Sequence, residues 1–358
     1  MSYTNINKSS EHFNTKLWTG NGSSPRSLSG LEFQPDLVWS KRRDDAAGHN
    51  LFDTVRGAGS DKNLQSNGTG VEGSGLPATF GYLSAFTSDG FTVTAGSSDN
   101  AYWNNNSATY VAWNWKANGT GVANTDGSIN STVSANTTSG FSIVKFTGTG
   151  ATATVGHGLG VAPSFYVIKR IDGGDGGQWN CYHKSLGATK YMLLNSTSAS
   201  GTSATRWNDT APTSSVFTVN TSGDVNDSGD THIAYCFAEK QGYSKFGSYQ
   251  GSGNVDGPMI WLGFKPVMVI TKCTNTTGKN WEIRDSKRKS DMNTANAYRL
   301  FPNLSDAEQT NTEAMDFLSN GFKLRSSSSG HNGNFNYIYM AFAEAPLVGS
   351  NNVPCTAG

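Results

Sequence analysis

One phrase occurs three times in this chain, and it constrains the fold more than any other feature. It reads Gly30-Leu31-Glu32-Phe33-Gln34-Pro35-Asp36-Leu37-Val38-Trp39-Ser40-Lys41, then Gly158-Leu159-Gly160-Val161-Ala162-Pro163-Ser164-Phe165-Tyr166-Val167-Ile168-Lys169, then Trp261-Leu262-Gly263-Phe264-Lys265-Pro266-Val267-Met268-Val269-Ile270-Thr271-Lys272. In each copy a lysine follows the proline by six positions. Self-similarity in a fixed order of landmarks means one module used repeatedly. A chain built this way argues against a single elaborate catalytic centre.

The landmarks extend on both sides. Before each phrase runs an aromatic strand ending in a glycine turn, beginning at Phe13, Phe141 and Phe246. After it come a third strand (His49 to Arg56, Trp179 to Leu186, Trp281 to Arg288) and a leucine–asparagine pair: Leu64 and Asn67, Leu194 and Asn195, Leu300 and Asn303. The closing strands are Tyr110 to Trp115, His232 to Glu239 and Tyr337 to Glu344. Short alternating runs joined by Gly, Ser, Thr and Asn turns predict an all-β chain. Each unit is roughly 100 residues, the size of one β-sandwich. The expected fold is three tandem antiparallel β-sandwich repeats, jelly-roll-like. The boundaries are 1–117, a polar linker at 118–138, 139–240, 241–346 and a tail at 347–358. The linker predicts a loosely attached first unit, and the direct join at Lys240-Gln241-Gly242 a rigid second pair.

Successive side chains of a strand face opposite ways. On the closing strands Val111, Trp113 and Trp115, Ile233, Tyr235 and Phe237, and Ile338, Met340 and Phe342 form a large apolar face, expected to be the core of each unit. The opposite face is mostly small (Ala112, Ala234, Cys236, Ala341, Ala343), which predicts close approach by another layer or a neighbouring unit. Each proline is expected just before a strand, where its missing N–H breaks no ladder bond. Ser305-Asp306-Ala307-Glu308 fits a helix-capping box or an acidic loop.

Formal net charge is zero with 27 basic and 27 acidic residues, so the basic face of a nucleic-acid binder is not expected. Lys287-Arg288-Lys289, the best basic run, reads as a solvated turn. No apolar stretch approaches a membrane span, and the N-terminus lacks the layout of a secretory signal. The four cysteines are too few for a disulfide framework in a chain this long and are expected as free, structural thiols.

Chemistry has few places to reside. The six histidines make no metal-binding spacing, and neither a nucleophile elbow nor a phosphate-binding loop is present. The aligned position Asp53, His183 and Asp285 is polar in all three units and is expected to bond a strand-end turn. Asp224, Asn226, Asp227 and Asp230 form a weak calcium candidate, with hard oxygen donors around a glycine but no closing glutamate; an ordinary turn is the alternative. Tyr102 and Trp103, in an asparagine-rich loop, and Trp207 suit stacking on a sugar ring. The alternative is that each folds back over its own sandwich. No catalytic residue and no cofactor is expected.

Several phrases together resemble a family of tailed-phage virion proteins common in marine and cyanobacterial phages. They include Phe33-Gln34-Pro35-Asp36-Leu37-Val38-Trp39, Ser88-Asp89-Gly90-Phe91, Tyr110-Val111-Ala112-Trp113-Asn114-Trp115-Lys116, Gly156-His157-Gly158-Leu159-Gly160, Tyr243-Ser244-Lys245-Phe246-Gly247-Ser248-Tyr249 and Phe317-Leu318-Ser319-Asn320-Gly321-Phe322. The resemblance spans nearly the whole chain. It implies a non-enzymatic structural protein on the virion surface, folded in the host cytoplasm. A tail fibre or tail-associated protein contacting the host is the first expectation; a capsid decoration protein is the alternative, and a secreted carbohydrate-binding module a more distant one. Expected partners are other virion proteins, further copies of the chain (a trimer) and host surface glycans, without nucleic acid or membrane insertion.

Overall fold

The computed structural model describes residues 4–174, 176–288, 297–311 and 313–346. The chain is all-β apart from a few single helical turns. The first unit holds β1 (Phe13–Thr19), β2 (Arg26–Ser29), β3 (Leu37–Arg42), β4 (Asn50–Asp53), β5 (Tyr82–Thr87), β6 (Gly90–Thr94) and β7 (Thr109–Trp115). Next come β8 (Val122–Asn124) and β9 (Ser131–Asn136). The second unit holds β10 (Phe141–Thr147), β11 (Ala153–Gly156), β12 (Phe165–Arg170), β13 (Asn180–His183), β14 (Lys190–Leu193), β15 (Gly201–Thr202), β16 (Val216–Val219) and β17 (Thr231–Phe237). The third holds β18 (Ser244–Gln250), β19 (Met259–Trp261), β20 (Phe264–Cys273), β21 (Trp281–Asp285), β22 (Ala297–Arg299), β23 (Gln309–Asn311), β24 (Met315–Leu318), β25 (Gly321–Leu324) and β26 (Asn336–Pro346).

One antiparallel arrangement appears three times: β1-β7-β3-β4, β10-β17-β12-β13 and β18-β26-β20-β21. In each the closing strand lies between the opening strand and the proline-led strand. Its register makes Leu37, Phe165 and Met268 equivalent, opposite Trp115, Phe237 and Phe342. The same register equates Ser244, not Phe246, with Phe13 and Phe141. Likewise Met192, which pairs with Cys181, matches Leu64 and Leu300; Leu194 does not. Pro266 lies inside β20 at a register shift, whereas Pro35 and Pro163 precede their strands. A bulge leaves a residue out of the ladder, so the proline costs no hydrogen bond there.

The large apolar faces do not form three separate cores. They converge on one, which joins Trp39, Trp113 and Trp115 to Phe165, Tyr235 and Phe237 and to Met268, Met340 and Phe342, all buried. Six rings interlock at one end: Phe13, Trp115, Phe141, Phe237, Phe246 and Phe342. A void of about 30 Å³ remains between the sheets, lined wholly by apolar side chains of all three units. Burying the large face three ways leaves the small face for each unit's own sandwich. There β2-β6-β5, β11-β16 and β19-β25-β24 form the outer layers. Ala112, Ala234 with Cys236, and Ala341 with Ala343 let these layers approach, giving three peripheral cores. The expectation that the large face forms the core of each unit is corrected accordingly.

Residues 118–138, expected as a linker, instead supply β8 and β9, which extend the second sheet beyond β10. The alternation Val133-x-Ala135 carries this pairing: Val133 is buried in the second sandwich. The first unit's large apolar face lies in the common core with those of the other two units. Residues 305–308 form an irregular loop, not a helix. The tail from 347 onward and Lys289 lie outside the described residues.

Three glycines show why the turns repeat. A Cβ at Gly20 would lie 1.8 Å from Asn105 O, at Gly148 2.1 Å from Asp227 O, and at Gly251 2.1 Å from Gly333 O. No side chain fits there. Beside each glycine a buried asparagine, Asn104, Asn226 or Asn332, accepts the next residue's N–H and donates to loop oxygens.

Candidate functional site: the polar junctions between the units

The asparagines after the third strands organise the contacts between units. Asn67, Asn195 and Asn303 each accept the N–H that opens their own third strand, from His49, Trp179 and Trp281. The carbonyl two residues before each asparagine accepts a ring N–H from the next unit. Trp179 donates to Gln65 at 2.9 Å, Trp281 to Leu193 at 2.9 Å, and His49 to Phe301 at 2.9 Å. The carbonyl two residues after it accepts a backbone N–H: Gly177 to Thr69, Gly278 to Thr197 and Ala47 to Ser305. Each unit thus grips the next, and the ring closes from third to first.

A second ring uses Asp53, His183 and Asp285. Each makes the expected bond to its own turn: Asp53 with the N–H groups of Val55 and Arg56, Asp285 with that of Arg288, His183 with that of Ser185. Each also reaches another unit. Tyr235 donates its hydroxyl to Asp53 at 2.8 Å, and Trp113 donates its indole N–H to Asp285 at 2.9 Å. His183 donates to Tyr339 O at 3.2 Å. Tyr235, Trp113 and Met340 are equivalent, so two of the three units use that position as a donor and the third is apolar. Arg56 pairs with Asp53 and Glu72, while Arg288 pairs with Asp285 and Glu308, which also binds Arg43 of the first unit. Arg288 is therefore buried and structural, a correction to the solvated turn. Burial pushes His49 down to about 3 and His183 to about 4. Both are neutral at pH 7, Nε2 donating and Nδ1 accepting.

The repeated lysine is the third element. Lys41, Lys169 and Lys272 are fully buried. Lys169 donates to Thr69 O and Arg170 O at 2.9 and 2.7 Å; Lys272 donates to Thr197 O and Lys279 O at 3.4 and 2.7 Å; Lys41 donates to Arg42 O and Asp45 O at 2.7 and 3.4 Å. Two of the three thus bind the neighbouring unit. Desolvation lowers Lys41 to about 8, Lys169 to about 7 and Lys272 to about 8. The position was visible in the sequence; its role was not, because a lysine at a strand end ordinarily points to water.

The third sandwich carries the densest ionic group. Glu282 and Arg284 occupy the positions of Asn50 and Phe52 in the first unit. With Glu313 and His331, Glu282 brings three potential metal-ligating side chains within 4.8 Å of one another. Arg284 and Arg299 already donate to Glu282, Arg299 also pairs with Glu313, and His331 lies 3.3 Å from Glu282. Burial alone would raise Glu282, but His331, Arg284 and Arg299 hold it well below the carboxylate range. Two guanidinium groups at the carboxylates oppose a cation, and the cluster reads as a buried ion-pair network.

The sugar-binding expectation is corrected. Trp103 and Trp207 are fully buried. Trp103 packs among Trp18, Phe52 and Phe91, and Trp207 stands edge-on to Tyr166. Tyr102 is half-buried, with its hydroxyl on Gly75 O at 2.7 Å. Trp103 and Tyr102 pack into the first unit's peripheral core and Trp207 into the second's. The calcium expectation is corrected too. Asp227 and Asp230 pair with Arg170, Asp224 accepts from Gln178 N–H and pairs with Arg206, and Asn226 pins the glycine turn. Arginines already supply the charge a cation would bring.

Cys181, Cys236 and Cys273 are free and buried, as expected; Cys355 lies outside the described residues. No helix among the described residues is long and apolar enough to cross a membrane. The repeated ionisable groups are turned inward on junctions. Comparison with curated proteins finds no match. The family described as "Domain of unknown function (DUF7483)" matches residues 8–346, and the chain belongs to that family.

Proposed function

We propose that this chain is a non-enzymatic structural protein on the surface of a tailed-phage virion, carried on the tail and contacting the host. The observation that supports this best is the use of the repeated polar residues. Asp53, His183, Asp285 and two of the three buried lysines, Lys169 and Lys272, bond to neighbouring units. Such interlocking suits a rigid body that must survive outside a cell. The resemblance of the sequence phrases to virion proteins points the same way. Other virion proteins, further copies of the chain and host surface glycans are the proposed partners.

Capsid decoration is the second reading. It is favoured by the threefold repetition of sheet order in one chain, which matches a position of local threefold symmetry on a head lattice. Peptide quantification of gradient-purified particles, with immunogold labelling, tests both. Tens of copies or fewer, at the tail, support the first reading. Hundreds over the head support the second. Absence from purified particles overturns both.

A further inference from the structure

The three inner sheets differ along one edge. In the second unit the outer edge of β10 is paired by β9, from Phe141 opposite Asn136 to Phe146 opposite Ser131. Among the described residues, the equivalent strand of the third unit, β18, is the outermost of its sheet. An uncovered edge presents unpaired N–H and C=O groups to any strand that can reach it. Along β18 these groups alternate. Gly251 N–H, just beyond the strand, donates inward to Phe335 O. Ser244 N–H donates outward to Lys240 O, and Phe246 N–H outward to the Glu239 carboxylate. The same alternation aims the N–H groups of Ser248 and Gln250 outward, and both residues are exposed.

The surface beside that edge differs as well. In the second unit Gly158 lies under β9: a Cβ there would be 2.9 Å from Val133 Cγ1 and 3.2 Å from Ala135 Cβ. The equivalent position in the third unit is Trp261. It is 55% exposed, and Met259, two residues earlier on the same face of β19, is 39% exposed. Lys245 of β18 donates to Trp261 O at 3.1 Å, its ammonium 4.5 Å from the ring centre. So the seam that β9 closes in the second unit is open in the third and carries an exposed indole. In the first unit β1 is also an outer strand, but its equivalent of Trp261 is Gly30.

We propose that the β18 edge, with Trp261 and Met259 beside it, is a docking site for an extended strand of a partner polypeptide, apolar at alternate positions, bound as β9 binds β10. A second copy of this chain fits less well. Pairing β18 with itself would place Lys245 of both copies on one seam, and lysine on an edge is a common guard against self-pairing. The site does not depend on which particle carries the protein.

The probe is a synthetic peptide of residues 128–138, which contains the β9 sequence, added at about 1 mM to the purified full chain. Amide hydrogen exchange is read residue by residue. The expected result is about tenfold slower exchange at Ser248 and Gln250, with β10 unchanged. Trp261→Ala should weaken this protection, and Ser248→Pro should abolish it while Ser248→Ala retains it, at unchanged melting temperature. Three results would overturn the proposal. These are no protection by the peptide, protection indifferent to both Trp261→Ala and Ser248→Pro, or protection already present without peptide in a concentration-dependent dimer. The last would assign the edge to a second copy.

Discussion

Tyr235, on the closing strand of the second unit, donates its hydroxyl to the carboxylate of Asp53 in the first at 2.8 Å. Both side chains are buried, and Arg56 binds the same carboxylate. The hydrogen bond therefore joins two units inside a low-dielectric core, where an unmade bond is costly.

Removing that hydroxyl should be measurable. Tyr235→Phe is expected to cost about 1.5–3 kcal/mol, the usual range for a bond to a charged group. Asp53→Ala should cost more, about 3–5 kcal/mol, because it strips Arg56 of its nearest counter-charge in a buried site. Urea unfolding of both variants checks the order. Equal, small losses would show that the junction contributes little.

Lys169 makes stability depend on pH in a defined direction. Its folded value, about 7, lies below its ordinary 10.5. Between those values the unfolded chain binds more protons than the folded one. The lysine's contribution is thus lost as pH falls from about 10.5 to about 7 and levels off below. Measured against Lys169→Met, the wild type should gain up to about 1.4 kcal/mol per pH unit across that window. Parallel curves for the two proteins would contradict this.

The buried histidines act at the other end of the scale. His183 ordinarily titrates near 6.5 but is held at about 4 by desolvation, and His49 at about 3. Stability from keeping them neutral is complete above 6.5 and lost as pH falls toward those values. Melting temperatures should drop between about pH 6.5 and 4, and less steeply in His183→Gln. An unchanged slope in that variant would exclude His183 as a contributor.

Burial raises the thiols of Cys181 and Cys236 far above their ordinary range. Both should resist a thiol reagent at pH 8 in the native protein and react fully in denaturant. Fast labelling of either in the folded chain would show that its layer opens.

Much of the fold was legible in the sequence. The proline–lysine phrase located three equivalent strands, and alternation on the closing strands picked the buried large face. Where that face would bury was not legible. A run such as Val111-x-Trp113-x-Trp115 has the same pattern whether it meets its own second sheet or two other units. The small face, Ala112 or Ala234 with Cys236, held the clue, since a sandwich interior lined by alanine leaves the large residues needing another partner. β9 is not legible because Ser131-Thr132-Val133-Ser134-Ala135-Asn136 has only two apolar residues. Trp103 and Trp207 were misplaced because polar neighbours in sequence do not reveal what lies beneath a loop. Asn67, Asn195 and Asn303 stand out in the sequence as landmarks; that their neighbouring carbonyls bridge units follows from geometry alone.

Three units that share one core should unfold together. Differential scanning calorimetry of the full chain tests it most directly, with Phe237→Ala as the perturbation. That substitution should cost about 3–5 kcal/mol. The expected result is a single transition whose calorimetric and van't Hoff enthalpies agree, moved as a whole to lower temperature by Phe237→Ala. Separate transitions, with Phe237→Ala shifting one and leaving the others in place, would contradict it.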